Sequence, residues 1–336
     1  VSAEPHPLPL ETAPEFTPGA MQTVKQRRLP GGHLIEFEFA PAGWLTQKGT
    51  PRYEDWRAYH LTSHPTCPIC EGSGRVASDK RPGGTVKCHA CKGTGDTQRA
   101  RVESVSTICD RILPKDGLPP WSERAGIHGT IEAVRLGLIT AETTDEEAVA
   151  IVRANKLGAD AERNRAADRG LNVHALLEAY MLEGRPPNPA EHPEHHRPFI
   201  RGLVKWLLWA DPEPEAVELI VADPERGYAG RLDLIAQING RLTLVDLKTQ
   251  ENGAIYESAH VQCRLYRDAE ERWGEYRPQD ALVVVADGHG GFREMPLLAD
   301  AELSNHALDY YRRIKPISAG CDQQNSIVRR ALQEAA

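Results

Sequence analysis

The chain has 336 residues, 40% apolar and 26% charged, enough for one large domain with an appendage or for two domains. Its long apolar runs, such as 281–286 (ALVVVA), fall far short of the roughly 20 residues that cross a bilayer, which excludes a transmembrane protein. A net charge of −8 excludes a protein that works by bulk positive charge on nucleic acid or on a membrane surface.

Residues 1–30 are rich in Pro, Glu and Thr and have too little apolar content to offset ordering entropy, so a disordered lead-in is expected. The first twenty residues carry neither a basic nor an apolar segment of the secretory kind. No signal is therefore expected, and a cytoplasmic location is. Residues 31–63 read as an N-terminal β segment, with HLIEFEF (33–39) alternating in the period of a strand and 59–61 a weaker second strand. VESVSTI (102–108) resumes the strand pattern, so the intervening 64–101 is expected as an insertion at the tip of a β-hairpin. Helices are predicted near 121–137, 144–156, 159–183 and 195–210, separated by Gly/Pro breaks. The period then changes to that of strands at 215–222, 228–238, 241–248 and 281–286, with a helix at 257–273 and a last helix near 300–314. A mixed α/β domain over 102–316 with a polar tail at 317–336 is the expectation.

Asn239-Gly240 stands between two alternating runs and is the preferred sequence of a two-residue type I′ hairpin turn. Such a turn pairs Ile238 with Arg241, and counting outward brings Asp233 opposite Asp246. Opposed side chains lie roughly 5 Å apart, where two carboxylates repel unless something neutralises them. A divalent cation would do so, and Lys248, two residues beyond Asp246, shares that face. Oxygen ligands beside one lysine suit Mg2+ or Mn2+ with a phosphate, hence phosphodiester hydrolysis.

Gly230-x-x-Asp233 followed by Asp246-x-Lys248-Thr249 resembles the core of the PD-(D/E)xK nucleases, in particular the RecB-like branch and its phage-encoded exonucleases. Gly170-x-x-x-His174-x-x-x-Glu178 is similar to that branch's upstream helix, and Gln262-x-x-x-Tyr266 to its downstream helix. The resemblance covers about residues 103–315 and implies a restriction-endonuclease-like mixed sheet core flanked by helices. It implies His174, Asp233, Asp246 and the Leu247 carbonyl as ligands of Mg2+ or Mn2+, Lys248 as catalytic, and Gln262 and Tyr266 as substrate-side or bracing groups. Two departures stand: no Pro precedes Asp233, and Asp246 occupies a position where Glu is more usual. With only Cys263 and Cys321 late in the chain, no iron–sulfur cluster is expected. Glu178, one turn after His174, reaches the metal through water or is a surface acid. Glu218 either joins the site or salt-bridges a helix, and the second is expected.

Cys67-Pro-Ile-Cys70-Glu-Gly-Ser-Gly74 and Cys88-His-Ala-Cys91-Lys-Gly-Thr-Gly95 are two copies of CxxCxGxG, spaced for one tetrahedral zinc site with four thiolate ligands. They resemble half of the DnaJ cysteine-rich domain, which implies one structural Zn2+. A redox CxxC is the rival reading, although neither pair precedes a helical pattern. The segment 64–101 carries seven basic and three acidic residues, net +4, leaving −12 elsewhere. Contact with a DNA backbone is expected there, without base stacking, since the module has no aromatic residue.

The function expected is thus a metal-dependent DNA nuclease, an exonuclease of recombination or end-processing as the resemblance implies. Its partners would be DNA and a single-strand annealing or recombination protein, in a bacterial host cytoplasm if phage-encoded. The competing expectation is a non-catalytic zinc-ribbon DNA-binding or chaperone-like protein with a degenerate nuclease fold.

Overall fold

The computed structural model describes residues 23–30, 32–40, 56–62, 73–77, 84–88, 99–113 and 118–334, with 23, 24, 39, 40, 56, 99, 100 and 318–334 described by backbone alone. Six strands precede the first helix: β1 (Thr23–Arg28), β2 (Leu34–Ala40), β3 (Trp56–Thr62), β4 (Arg75–Ala77), β5 (Thr85–Lys87) and β6 (Arg99–Ser104). They belong to a first unit, Val1–Ser104 with Ala222–Ala229. Strands β1, β2, β3 and β6 are successive antiparallel neighbours, and β6 runs parallel to Tyr228–Ala229. Because Thr62 pairs with Arg99, residues 63–98 span the tip of the β3–β6 pair. Within that span β4 and β5 form a small hairpin of their own.

Two expectations need correction here. Residues 23–30 are not a lead-in: Thr23–Arg28 pairs along its whole length with β2. The turn between them is closed by the Leu29 N–H donating to His33 O at 2.8 Å, around Gly32 at φ 86°, and Leu29 is buried. The strand expected over 102–108 ends at Ser104, and Val105–Ile112 is helix α1. Val105, Ile108 and Cys109 fall at i, i+3 and i+4 and are its buried stripe, a helical period hidden inside a β-branched sequence. Residues 1–22 lie outside the described residues.

The second unit, Val105–Val221 with Gly230–Ala336, continues with α2 (Leu118–Arg135), α3 (Asp145–Ala154), α4 (Ala159–Glu183) and α5 (Arg197–Ala210). Thr144 and Glu147 form a reciprocal capping box that starts α3, and Gly184, left-handed at φ 68°, ends α4. Then come β7 (Glu213–Asp223), β8 (Tyr228–Ile238), β9 (Arg241–Gln250), α6 (Glu257–Trp273), β10 (Asp280–Asp287), β11 (Phe292–Pro296) and α7 (Ala301–Glu334). β7 pairs with β8, β8 with β9 antiparallel, β9 with β10 parallel and β10 with β11 antiparallel. The fold is therefore α/β, a mixed sheet with helices packed on it. Helix α6 makes the crossover that a parallel β9–β10 pair requires.

β11 was not foreseen; Phe292–Pro296 is short and only partly buried. Nor is 317–336 a bare polar tail, since α7 continues to Glu334 with Pro316 inside it. The residues after Pro316 mix apolar and polar side chains, and the Gln, Arg, Ala, Leu and Glu among them are good helix formers. Among the described residues no helix is long and apolar enough to cross a membrane.

The core lies between α4, α5 and the sheet. Val173, Leu177 and Met181 recur every fourth residue on α4 and meet Phe199, Leu203, Trp206 and Leu207 of α5, together with Leu234, Ala236, Val245, Leu247, Val284 and Ala286 of the sheet. α5 comes this close because Gly202 has no side chain: a Cβ there would collide with the Gly291 carbonyl oxygen and press on Ala286. Gly202→Ala should therefore lower stability by about 1–3 kcal/mol. Gly126→Ala, in α2 with open space around it, should raise it by about 0.4–1 kcal/mol. Thermal or urea denaturation of the two variants checks the contrast.

Candidate metal centre

The hairpin that builds the site is closed by Asn239 and Gly240, both left-handed at φ 52° and 72°, as a type I′ turn demands. Its ladder runs from Ile238↔Arg241 to Leu234↔Val245. At the next hydrogen-bonding position the Leu247 N–H would meet the Leu232 carbonyl in a regular antiparallel ladder. It donates instead to Asp233 Oδ2, at 2.7 Å. A carboxylate has taken the acceptor's place between the two strands.

The other Asp233 oxygen, Oδ1, lies 3.2 Å from His174 Nδ1. α4 delivers this histidine while its neighbour Val173 anchors the helix in the core. Gly170, one turn earlier, faces Thr249 Oγ1 near the end of β9, where a Cβ would make only an ordinary contact at 3.6 Å. Glu218 completes the group: ligand atoms of His174, Glu218 and Asp233 all lie within 4.8 Å of one another. This glutamate is in mid-strand in β7 yet has φ 50°, a conformation that costs a non-glycine residue energy and recurs where a strand must re-aim a side chain at a functional site. Its carboxylate is held 2.5 Å from Arg231 Nε. The expected helix partner is thus corrected to a strand residue, and the residue set aside in the sequence belongs to the cluster.

Asp246 is buried, 1% exposed, and lies 2.7 Å from Lys248 Nζ. It stands outside the three-residue group. Its Oδ1 has no hydrogen-bond partner among the described residues. Two buried thiols, Cys109 of α1 and Cys263 of α6, lie close enough to feel the charges of both Asp246 and Lys248. In α6 the Gln262 amide donates to Tyr266 OH at 2.9 Å. The Tyr266 ring lies against Gly230, where any Cβ would overlap it. Gly230 and Tyr266, far apart in sequence, are therefore a matched pair three residues from Asp233.

Electrostatics divide the site. Burial raises the Asp233 carboxyl, but the adjacent His174 and Lys248 outweigh it and the group stays below its ordinary range. His174 is correspondingly raised, the Asp233 charge overcoming burial. Asp246 goes the other way: burial, only partly offset by Lys248 and reinforced by Asp233, pushes it up to about 6. Burial, followed by the charge of Asp233, also raises Glu218. Lys248 is held cationic, Asp246 and Asp233 more than offsetting its burial. Burial, then Asp110, pushes the Cys109 thiol up to about 12, and burial, then Asp246, raises Cys263 well above its usual value. Neither cysteine is a thiolate nucleophile at neutral pH.

The donor set fits a hard or borderline divalent ion: carboxylates from β7, β8 and β9 with one imidazole, and an Asp246 oxygen left without a hydrogen bond in a buried place. Of the cysteine module, Cys67, Cys70 and Cys91 lie outside the described residues. Cys88 is buried, and its N–H donates to Gly74 O at 2.9 Å. The β4–β5 hairpin, paired Arg75↔Lys87 to Ala77↔Thr85, thus joins the last glycine of the first knuckle to the first cysteine of the second.

Because Asp246 must lose its proton to serve a cation, Mn2+ affinity should fall as pH drops through about 6. His174, raised above its ordinary value by Asp233, must also be neutral to bind, so the loss should exceed the roughly tenfold per pH unit of a single proton. Calorimetric Mn2+ titrations between pH 5 and 7.5 check this, and Asp246→Asn should make the profile shallower, with the His174 contribution left in place.

Comparison with protein-family models finds no match, and comparison with curated proteins finds none either. Any functional conclusion therefore rests on the side chains just described.

Proposed function

We propose that this chain is a divalent-cation-dependent deoxyribonuclease, an exonuclease of recombination or DNA end-processing, built on a restriction-endonuclease-like core. The observation that carries the reading is the meeting of His174, Glu218 and Asp233 beside the Asp246–Lys248 pair, just beyond the paired part of the β8–β9 hairpin. Support comes also from the strand and helix order β7, β8, β9, α6, β10, in which Tyr266 of α6 stands against β8 with Gln262 bonded to it, as the sequence resemblance implies.

His174, Glu218, Asp233 and Asp246, with the Leu247 carbonyl, would hold Mg2+ or Mn2+. Such an ion supplies polarisation of a phosphoryl oxygen and a more acidic water. Asp233 is kept ionised by His174 and the Leu247 amide, so it is ready as a ligand at neutral pH. Asp246 ionises above about 6 and then holds the Lys248 ammonium in place. Lys248, cationic and partly exposed, orients the attacking water or offsets charge that builds on the phosphate. Gln262 and Tyr266 fix the α6 side of the site, and Gly230 sets the depth at which Tyr266 sits.

Asp246→Ala and Lys248→Met should each lower Mg2+-dependent degradation of end-labelled duplex DNA by about 10²–10³-fold. DNA binding in Ca2+ should be kept. Degradation at the wild-type rate by either variant would remove the site assignment, and the absence of degradation by the wild type with Mg2+ or Mn2+ would remove the nuclease reading itself.

The two CxxCxGxG knuckles are proposed to hold one structural Zn2+ and to lay their positive charge along the DNA backbone. Purified protein should contain one equivalent of zinc by atomic emission, lost in Cys88→Ser. Zinc removal should weaken DNA binding while Mn2+ binding at the carboxylate site persists.

A further inference from the structure

We propose that Arg231 is a positioning residue: it holds Glu218 in the cluster before the cation binds and gives Glu218 up to the cation when it arrives. The proposal rests on the metal reading above and concerns a residue that reading does not use.

Each cation of the site has its own carboxylate. Lys248 lies on Asp246 at 2.7 Å and His174 on Asp233 at 3.2 Å. Glu218 is left beside Asp233, a like charge that raises its carboxyl, in a place where its side chain is only 7% exposed. An ionised carboxylate so placed is costly unless paired. Arg231 supplies the pairing at 2.5 Å. It stands two residues before Asp233 on β8, so the period of a strand sets both on the same side. At 30% exposure the guanidinium forms the solvent side of the cluster, whereas Glu218 forms its floor.

Glu218 is thus held from two directions: by its left-handed backbone at φ 50° and by Arg231. The backbone aims the side chain and does not depend on charge. The ion pair does. A divalent ion sharing Glu218 with His174 and Asp233 must take that carboxylate from the guanidinium, and a fixed positive charge nearby opposes its entry. Arg231 therefore keeps the buried acid neutralised at the expense of cation affinity. The coupling has a sign that a purely structural arginine would not show, since removing it tightens metal binding.

The test is a Mn2+ titration by calorimetry on the full-length protein, with the wild type, Arg231→Met, Arg231→Gln, Arg231→Lys, Glu218→Gln and the Arg231→Met/Glu218→Gln double variant. Arg231→Met and Arg231→Gln should bind Mn2+ about fivefold more tightly, with Arg231→Lys, which keeps the charge, within about twofold of wild type. Glu218→Gln should bind more weakly, and Arg231→Met should bring a clearly smaller gain in that background, since only the through-space repulsion is then relieved. Arg231→Gln keeps a polar side chain beside Glu218 and carries the test should Arg231→Met not fold. Unchanged or weaker binding in the neutral variants overturns the proposal. So does an equal gain with and without Glu218, which would make Arg231 a general charge and nothing more. A wild type that binds Mn2+ equally well before and after Asp233→Asn would instead overturn the metal site, so the two failures are distinguishable.

Discussion

The structure around the site depends on one carboxylate placed between two strands. Asp233 accepts the Leu247 N–H on one oxygen and faces His174 with the other. The first contact substitutes for a backbone bond of the β8–β9 ladder, so the hairpin opens without leaving a buried amide unsatisfied. The second ties α4 to β8. With the strands parted, side chains of β7, β8 and β9 converge where a continuous sheet would have packed apolar residues.

The charges of this opening do not all favour the folded protein. Asp233, lowered below its ordinary range, contributes stability above the unfolded pKa and loses it as pH falls through the folded value. Asp246, raised to about 6, has the opposite sign. Its contribution is complete below the ordinary carboxylate pKa and disappears as pH rises from there through about 6. At neutral pH the chain therefore carries an ionised, buried Asp246 against its own stability, with Lys248 as partial compensation. A site kept under such tension is a better candidate for chemistry than a surface ion pair such as Arg312–Asp309, which settles at little cost.

Much of this was readable from residue spacing. Asn239-Gly240 fixed a turn and the turn fixed the ladder, but the observed pairing ends at Leu234↔Val245, one step short of the expected Asp233–Asp246 apposition. His174 and Tyr266 were visible only through the resemblance carried by Gly170-x-x-x-His174 and Gln262-x-x-x-Tyr266. Glu218 stood only as the less favoured alternative, because strand periodicity assumes a regular backbone and its left-handed φ breaks that assumption. The pairing of Asp246 with Lys248, apart from the His174–Glu218–Asp233 group, was equally hidden, since it depends on how far the hairpin opens beyond Leu234↔Val245. The strand-like sequence of α1, the paired β1 and the long α7 show the same limit at the level of elements. β-branching, proline content and polarity describe local preference, and tertiary partners decide the outcome.

The central claim is that the opened hairpin holds a divalent cation. Anomalous diffraction from crystals soaked in Mn2+ at pH 7 tests it most directly. The account predicts a manganese peak within about 2.0–2.4 Å of an Asp233 oxygen and bounded by His174 and Glu218. Manganese bound elsewhere on the chain, with no peak at Asp233, would contradict it.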